Sequence, residues 1–188
     1  MPATKIMLIR HAEKPSEDGK VKGVSAAGAP DPEELIVRGW QRSGALVRFF
    51  APRDGTFADR RLATPRVIFA SAVAKHSNSL RPQHTVLELA TVLKLKLDLR
   101  HAKDDEKALV ADALAAEGPV LIAWEHEAIP DIANRILGNS TSCPQKWPGA
   151  RFDLVWVLDR PSAAGGWSFA QVPQLLLSGD SAEPIAAA

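Results

Sequence analysis

An arginine and a histidine stand together directly after the first apolar segment of this chain. Residues 6–9 are Ile-Met-Leu-Ile, and Arg10 and His11 follow them. A short apolar segment bounded by polar residues predicts an interior strand of a parallel sheet. Because open α/β sheets bind their ligands at the carboxyl ends of such strands, Arg10 and His11 are candidate site residues.

Two more candidate residues occupy comparable positions later in the chain. Residues 67–70 and 120–124 predict a second and a third apolar strand. Arg81 falls in the first turn of the helix that follows the second strand, and His126 follows the third. The carboxyl ends of parallel strands meet at one edge of a sheet. We therefore expect these two residues to share one pocket with Arg10 and His11.

Residues of these types, brought together, are suited to phosphoryl chemistry. Two arginines neutralise a phosphoryl dianion and match its oxygens in bidentate fashion, which lysine does less well. Arg81 adds the free amides and the positive dipole end of its helix. A neutral imidazole, His11, can attack phosphorus and carry the group covalently, while His126 stabilises charge on the equatorial oxygens. This scheme predicts neither a metal ion nor a cofactor.

The elements that must position these residues alternate between strand and helix along the chain. Such alternation predicts a three-layer α/β/α sandwich with a mostly parallel central sheet. The first predicted helix covers residues 31–50, with Asp31 as its cap and Pro32 in its first turn, and Ser79 is the predicted cap of the second. The remaining predicted elements are a helix at 79–92, an edge strand at 95–99, helices at 103–117 and 129–137, and an antiparallel hairpin formed by 152–158 and 167–172.

Composition limits the class of protein. A chain of 188 residues suits one domain, predicted at 1–180, and the small residues of 181–188 predict a flexible tail. With 23 basic and 22 acidic residues, the surface as a whole is not built for nucleic acid. No apolar segment predicts a membrane span or a leader, and the single cysteine, Cys143, excludes an internal disulfide framework. We expect a cytoplasmic protein, and its oligomeric state stays open.

The motifs around the candidate residues resemble those of a known superfamily. The segment Arg10-His11-Ala12-Glu13 resembles the Arg-His-Gly motif of the histidine phosphatase (phosphoglycerate mutase-like) superfamily. Residues 35–41 are similar to its Leu-Thr-x-x-Gly-x-x-Gln helix start, and residues 79–85 resemble its Ser-x-Leu-x-Arg-Ala-x-x-Thr segment in a shifted form. The resemblance spans about residues 5–137. It implies a phosphoglycerate mutase-like sandwich, a small phosphatase-type member, and a phosphate pocket that Arg81 and His126 complete.

The chain departs from the superfamily pattern at several positions, among them the position of the residue that would donate a proton. Ala12 stands where the family has glycine, and the segment 71–78 before Arg81 is longer than usual. Glu127 follows the second histidine, which resembles the His-Asp pair of the acid phosphatase branch and makes Glu127 the first candidate for the general acid. Glu13 and Glu125 are the alternatives. A substrate with a good leaving group, such as a phosphohistidine, needs no acid.

The resulting expectation is a phosphatase that acts on a phosphorylated small molecule or a phosphoprotein through phospho-His11. A catalytically silent phosphate-binding module of the same fold is an alternative. A mutase-type phosphotransferase is another, although the chain is short and lacks lid insertions that would exclude water. A nucleotide-binding domain is disfavoured because the early glycines lack the spacing of a phosphate loop. His76, His84 and His101 are predicted to be structural or solvent-facing.

Overall fold

The computed structural model of this protein describes residues 2–75, 77–162 and 164–186. The prediction for His76 lies outside these ranges. The described elements, in chain order, are β1 (Lys5–Arg10), α1 (Val37–Phe50), β2 (Val67–Ala70), α2 (Arg81–Leu93), α3 (Glu106–Ala115), β3 (Val120–Trp124), α4 (Ile129–Leu137), β4 (Leu154–Asp159) and β5 (Ser168–Pro173).

The five strands form one mixed sheet in the order β2-β3-β1-β4-β5. β2, β3 and β1 are parallel to one another, whereas β4 and β5 are antiparallel to their neighbours. Successive strand residues point to opposite faces of the sheet. In β1, Leu8 belongs to the core that contains α3 and α4, and Met7 belongs to the core that contains α1 and α2. The predicted three-layer sandwich and the predicted hairpin are confirmed.

The parallel register brings the candidate residues to one edge. Arg10 lies beside Trp124, the last residue of β3, and the backbone N–H of His11 donates to the Trp124 carbonyl at 2.9 Å. Arg81 is the first residue of α2. The ends of β1 and β3 and the beginning of α2 therefore surround the same space.

The first helix begins later than the sequence predicts. α1 starts at Val37, not near Asp31, because Asp31 accepts a hydrogen bond from the Glu33 N–H at 2.9 Å within a short turn. The N–H of Ile36 then donates to the Glu13 carbonyl at 3.1 Å, which holds this segment extended. At Gly39 of α1, a Cβ would lie only 2.6 Å from that carbonyl. The missing side chain lets α1 pack directly on the segment that follows His11.

Three local predictions near α2 and α3 also need correction. Residues 95–99 run along the edge of β2 with one bridge, between Phe69 and Asp98, and do not form a strand. α3 begins at Glu106, so Lys103 stays in the preceding loop. The residue that caps α2 is Leu80, with no side-chain cap bond, so Ser79 does not cap this helix.

The segment 181–186, expected to be a flexible tail, makes specific contacts. Ile185 is only 7 % exposed and belongs to the core. The side-chain amide of Gln171 donates to the Ile185 carbonyl at 2.8 Å, and the Ile185 N–H donates back to that amide oxygen at 2.9 Å. These contacts tie the segment to β5. In the described part of the chain, each helix is too short or too polar to cross a membrane.

Candidate active site

One cleft of about 280 Å³ contains all four residues of the predicted quartet. Arg10, His11, Arg81 and His126 line it, as do Glu125 and Glu127. The sequence did not single out the other residues that line it for this role. They are Lys14, Ser77, Ser79, Pro82 and Lys103.

The segment that follows α4 fixes the side chain of Arg10 in position. Its Nη1 donates to the Gly149 carbonyl at 2.5 Å and to the Arg151 carbonyl at 3.2 Å. Its Cζ lies 3.8 Å from the centre of the Phe152 ring, a cation–π contact. Burial lowers the pKa of the guanidinium to about 10, so Arg10 stays charged at neutral pH. Nη2 and Nε make no hydrogen bond to the described residues.

The hydrogen bonding of His11 fixes which ring nitrogen can react. Its Nδ1 lies 2.8 Å from the Ala12 carbonyl, which can only accept, so Nδ1 carries the proton and Nε2 keeps its lone pair. Burial, followed by the positive charge of Arg10, lowers the pKa of His11 to about 3. His11 is therefore neutral at physiological pH, the state in which Nε2 is a nucleophile.

Thr85 connects the end of β1 to the beginning of α2. Its Oγ1 accepts a hydrogen bond from the Ala12 N–H at 2.8 Å and donates one to the Arg81 carbonyl at 2.7 Å. This bridge fixes the backbone beside His11 relative to that of Arg81. Thr85 belongs to the segment 79–85 of the motif resemblance.

Replacing Thr85 with valine should weaken both the fold and the site. The Ala12 N–H would then be a buried donor without a partner, which costs about 1–3 kcal/mol of unfolding free energy. We expect kcat to fall more than KM rises, because His11 loses its alignment. The matched control is Thr91→Val, which removes an exposed hydroxyl from the same helix. Equal effects of the two variants in denaturant titrations and kinetics would contradict this role for Thr85.

Arg81 and His126 complete the wall of the cleft. Nη1 of Arg81 donates to the Pro32 carbonyl at 3.0 Å, while its buried Nε has no partner among the described residues. Burial lowers the pKa of Arg81. Burial, and then the charge of Arg10, also lowers the pKa of His126, which favours a neutral ring. A Cβ at Gly149 would lie 3.6 Å from Nε2 of His126, so this glycine packs close to the ring.

The structure separates the three carboxylates that the sequence left as candidate acids. Glu127 lines the cleft, but its side chain is 72 % exposed. Glu13 does not line the cleft; its carboxylate accepts hydrogen bonds from Arg42 at 2.8 Å and from Arg38 at 3.1 Å. Glu125 lines the cleft with its side chain 18 % exposed. The prediction of Glu13 as an alternative acid is not supported, because two arginines hold it elsewhere.

Buried polar atoms without hydrogen bonds are concentrated in this cleft. Within the described ranges five such side-chain atoms occur, and all belong to residues that line it. They are Nε and Nη2 of Arg10, Oγ of Ser79, Nε of Arg81 and Oε1 of Glu125. Buried polar groups in native proteins are almost always paired, so this concentration indicates a ligand site. Four of the five atoms are donors, which suits an oxyanion.

For some residues of the cleft, closeness to the site could have been predicted from the sequence, and for others it could not. Ser79 lies two residues before Arg81, so its closeness to the site could have been inferred. Lys103 reaches the cleft only through tertiary packing, which no local pattern reveals. The other two described histidines lie outside the cleft: His84 pairs with Glu34 at 2.7 Å, and His101 pairs with Asp112 at 2.9 Å.

The fold is similar to the folds of several solved structures that are described as phosphatases. The chain resembles the protein histidine phosphatase SixA complexed with tungstate, with a TM-score of 0.51 and 14% identity over 90% of this chain and 97% of that one. It resembles a mycobacterial glucosyl-3-phosphoglycerate phosphatase complexed with VO3, with a TM-score of 0.54 and 14% identity over 89% and 97%. A structure described as mycobacterial hydrolase 1 gives a TM-score of 0.55 and 14% identity over 89% and 96%. The sequence matches no protein-family model and no curated protein.

Proposed function

We propose that this protein is a phosphatase that hydrolyses phosphate monoesters through a covalent phosphohistidine on His11. The observation that carries the proposal is the set of unpaired donors of Arg10, Ser79 and Arg81 in the cleft that also contains the neutral His11. A dianionic phosphoryl group would satisfy these donors and lie next to the nucleophile. The substrate would be a phosphorylated small molecule or a phosphoprotein.

In the proposed reaction, the two arginines bind the equatorial oxygens and Nε2 of His11 attacks phosphorus in line with the leaving oxygen. The proton stays on Nδ1 throughout, in a hydrogen bond to the Ala12 carbonyl, so the ring accepts the phosphoryl group without losing a proton. His126 donates to the oxygens as negative charge spreads over them. Water then attacks phosphorus from the opposite side and releases inorganic phosphate. The two arginines supply the positive charge that this scheme requires, and the His126 ring adds a hydrogen bond.

The structural neighbours support a site for an oxyanion. SixA was solved with tungstate, and the glucosyl-3-phosphoglycerate phosphatase was solved with VO3. Both oxyanions are mimics of phosphate or of its transition state. We therefore expect tungstate to bind this protein and to compete with substrate.

The test combines turnover with oxyanion binding. We expect the protein to hydrolyse p-nitrophenyl phosphate, and tungstate to inhibit it competitively. Replacing Arg81 with methionine should weaken tungstate binding by roughly 10- to 100-fold, because hydrogen bonds to charged groups contribute about 1.5–3 kcal/mol. The control is Arg48→Met, which changes an exposed arginine of α1 whose hydrogen bond goes to the Ala51 carbonyl.

Each rival function gives a different result in this test. Tungstate binding without turnover of any phosphate monoester would favour the catalytically silent module. Transfer of radiolabelled phosphate from the enzyme to an added phosphoglycerate, in place of release to water, would favour the mutase. If tungstate binding is absent, or is equally strong in the Arg81 and Arg48 variants, the proposed phosphate site is wrong.

A further inference from the structure

Glu125 is the less exposed of the two carboxylates that line the cleft. It follows β3 directly and precedes His126, and its Oε1 makes no hydrogen bond to the described residues. Burial raises the pKa of Glu125 above its ordinary value. A carboxyl group in this environment holds its proton more readily than one in water, which is what a general acid requires.

Lys103 lies close to both carboxylates beside His126. Its Nζ is 3.7 Å from Oε1 of Glu125 and 3.9 Å from Oε2 of Glu127. The first distance is too long for a hydrogen bond, yet it is short enough for the ammonium charge to stabilise a carboxylate. Lys103 would therefore stabilise Glu125 most strongly after the carboxyl group has given up its proton and become negatively charged. The side chain of Glu127 is mostly surrounded by water.

From this geometry we infer that Glu125 is the general acid of the phosphatase, with Lys103 as its positioning partner. The inference rests on the proposed function. It assigns the proton donor to the residue before the second histidine, whereas the sequence resemblance favours the residue after it. Glu13 is excluded because Arg38 and Arg42 hold its carboxylate away from the cleft.

The two steps then balance in atoms and charge. As Nε2 of His11 forms its bond to phosphorus, the bond from phosphorus to the leaving oxygen breaks, and that oxygen takes the proton of Glu125. The leaving group departs as a neutral alcohol and Glu125 becomes a carboxylate. In the second step Glu125 takes a proton from the attacking water, whose oxygen bonds to phosphorus. The phosphorus–nitrogen bond breaks, its electron pair returns to Nε2, and hydrogen phosphate is released.

The test is the dependence of the rate on the leaving group. A poor leaving group such as a simple alcohol needs the proton, whereas 2,4-dinitrophenolate does not. For Glu125→Gln we expect kcat/KM for an alkyl phosphate to fall by about 10²-fold, within the usual contribution of general acid catalysis. The same variant should change kcat/KM for 2,4-dinitrophenyl phosphate by less than about threefold, because no proton transfer is lost there. The control, Glu127→Gln, should keep the parent's dependence on the leaving group.

The pH dependence gives a second readout. Glu125 must be protonated in the first step, so the rate on alkyl phosphates should fall as pH rises through its raised pKa. Burial is the largest cause of that rise, and the charges of Glu106, Glu127 and Asp104 add to it, while Lys103 opposes it. We expect Glu125→Gln to lose this alkaline decrease and Glu127→Gln to retain it.

The outcomes separate this inference from the proposed function. If the parent hydrolyses no phosphate monoester, the phosphatase itself is wrong. If it hydrolyses 2,4-dinitrophenyl phosphate but already shows a steep dependence on the leaving group, it has no general acid and the inference fails. The inference also fails if Glu127→Gln has the selective loss, or if Glu125→Gln lowers kcat/KM equally for all substrates, which would indicate a structural role. Tungstate titration of each variant checks that the site is folded.

Discussion

The His11→Ala variant is expected to lose at least about 10⁴-fold in kcat toward p-nitrophenyl phosphate, the scale of loss seen when a covalent nucleophile is removed. The structure gives the reason. Nδ1 donates its proton to the Ala12 carbonyl and burial keeps the ring neutral, so Nε2 of His11 is unprotonated and free to act as the proposed nucleophile. The measurement is steady-state turnover, together with samples quenched in alkaline denaturant, in which the acid-labile phosphohistidine survives and bound phosphoryl is counted.

Two controls make the His11 result specific. Tungstate should still bind His11→Ala, because Arg10 and Arg81 remain, so lost turnover can be separated from a lost fold. His101→Ala changes a histidine that pairs with Asp112 outside the cleft and should retain the parent's activity. Substantial turnover in His11→Ala, or a phosphoryl adduct that forms without His11, would rule out the phosphohistidine mechanism.

The central part of the fold is predictable from local sequence. Residues 67–70 and 120–124 form β2 and β3 within the predicted limits, because an apolar segment of that length between polar residues suits a buried parallel strand. Parallel strands end at one edge, so the meeting of Arg10, His11, Arg81 and His126 follows from topology. Both strands, and the meeting of the site residues at their ends, follow from one cause, which is that the sheet is buried on both faces.

Where the sequence failed, a tertiary partner determined the local structure. The alternation of residues 95–99 is typical of a strand, but only Asp98 bridges to β2. The capping pattern at Asp31 is consistent with a helix start, but residues 32–34 form only a short turn. Ile36 is extended because its N–H is bound to the Glu13 carbonyl, and the helix begins at Val37. Glu13 lies only two residues after His11, yet its partner Arg42 lies 29 residues later. No local sequence pattern predicts the direction in which the Glu13 carboxylate points.

The second large effect concerns this buried ion network. Arg42 is 2 % exposed, and its Nη2 lies 2.8 Å from Oε1 of Glu13 and 2.7 Å from Oδ1 of Asp180, while its Nη1 donates to Gln174 at 2.8 Å. Removing the guanidinium would leave two buried carboxylates without their main counterion. We expect Arg42→Met to lower the free energy of unfolding by about 3–5 kcal/mol, the usual cost of breaking a buried ion pair from one side. Denaturant titration measures this loss.

Arg38 provides the matched control, because it contacts the same two carboxylates from the surface. Its side chain is 39 % exposed, so Arg38→Met should cost less than about 1 kcal/mol. Equal losses of unfolding free energy in Arg42→Met and Arg38→Met would show that the burial of Arg42 does not determine the size of the loss.

The pH dependence of stability provides an independent check on the network. Burial alone would raise the pKa of Asp180, but hydrogen bonds from Arg42 and from the N–H groups of Leu177 and Leu176, with the charge of Arg42, outweigh it and lower that pKa. A carboxylate whose pKa is lowered on folding stabilises the fold above its unfolded pKa, and this stabilisation disappears as pH falls through the folded value. The parent should therefore lose more stability on acidification than Arg42→Met does. Because the carboxylate of Glu13 belongs to this network and its backbone lies two residues after His11, the variant should also lose the proposed phosphatase activity at a lower temperature than the parent.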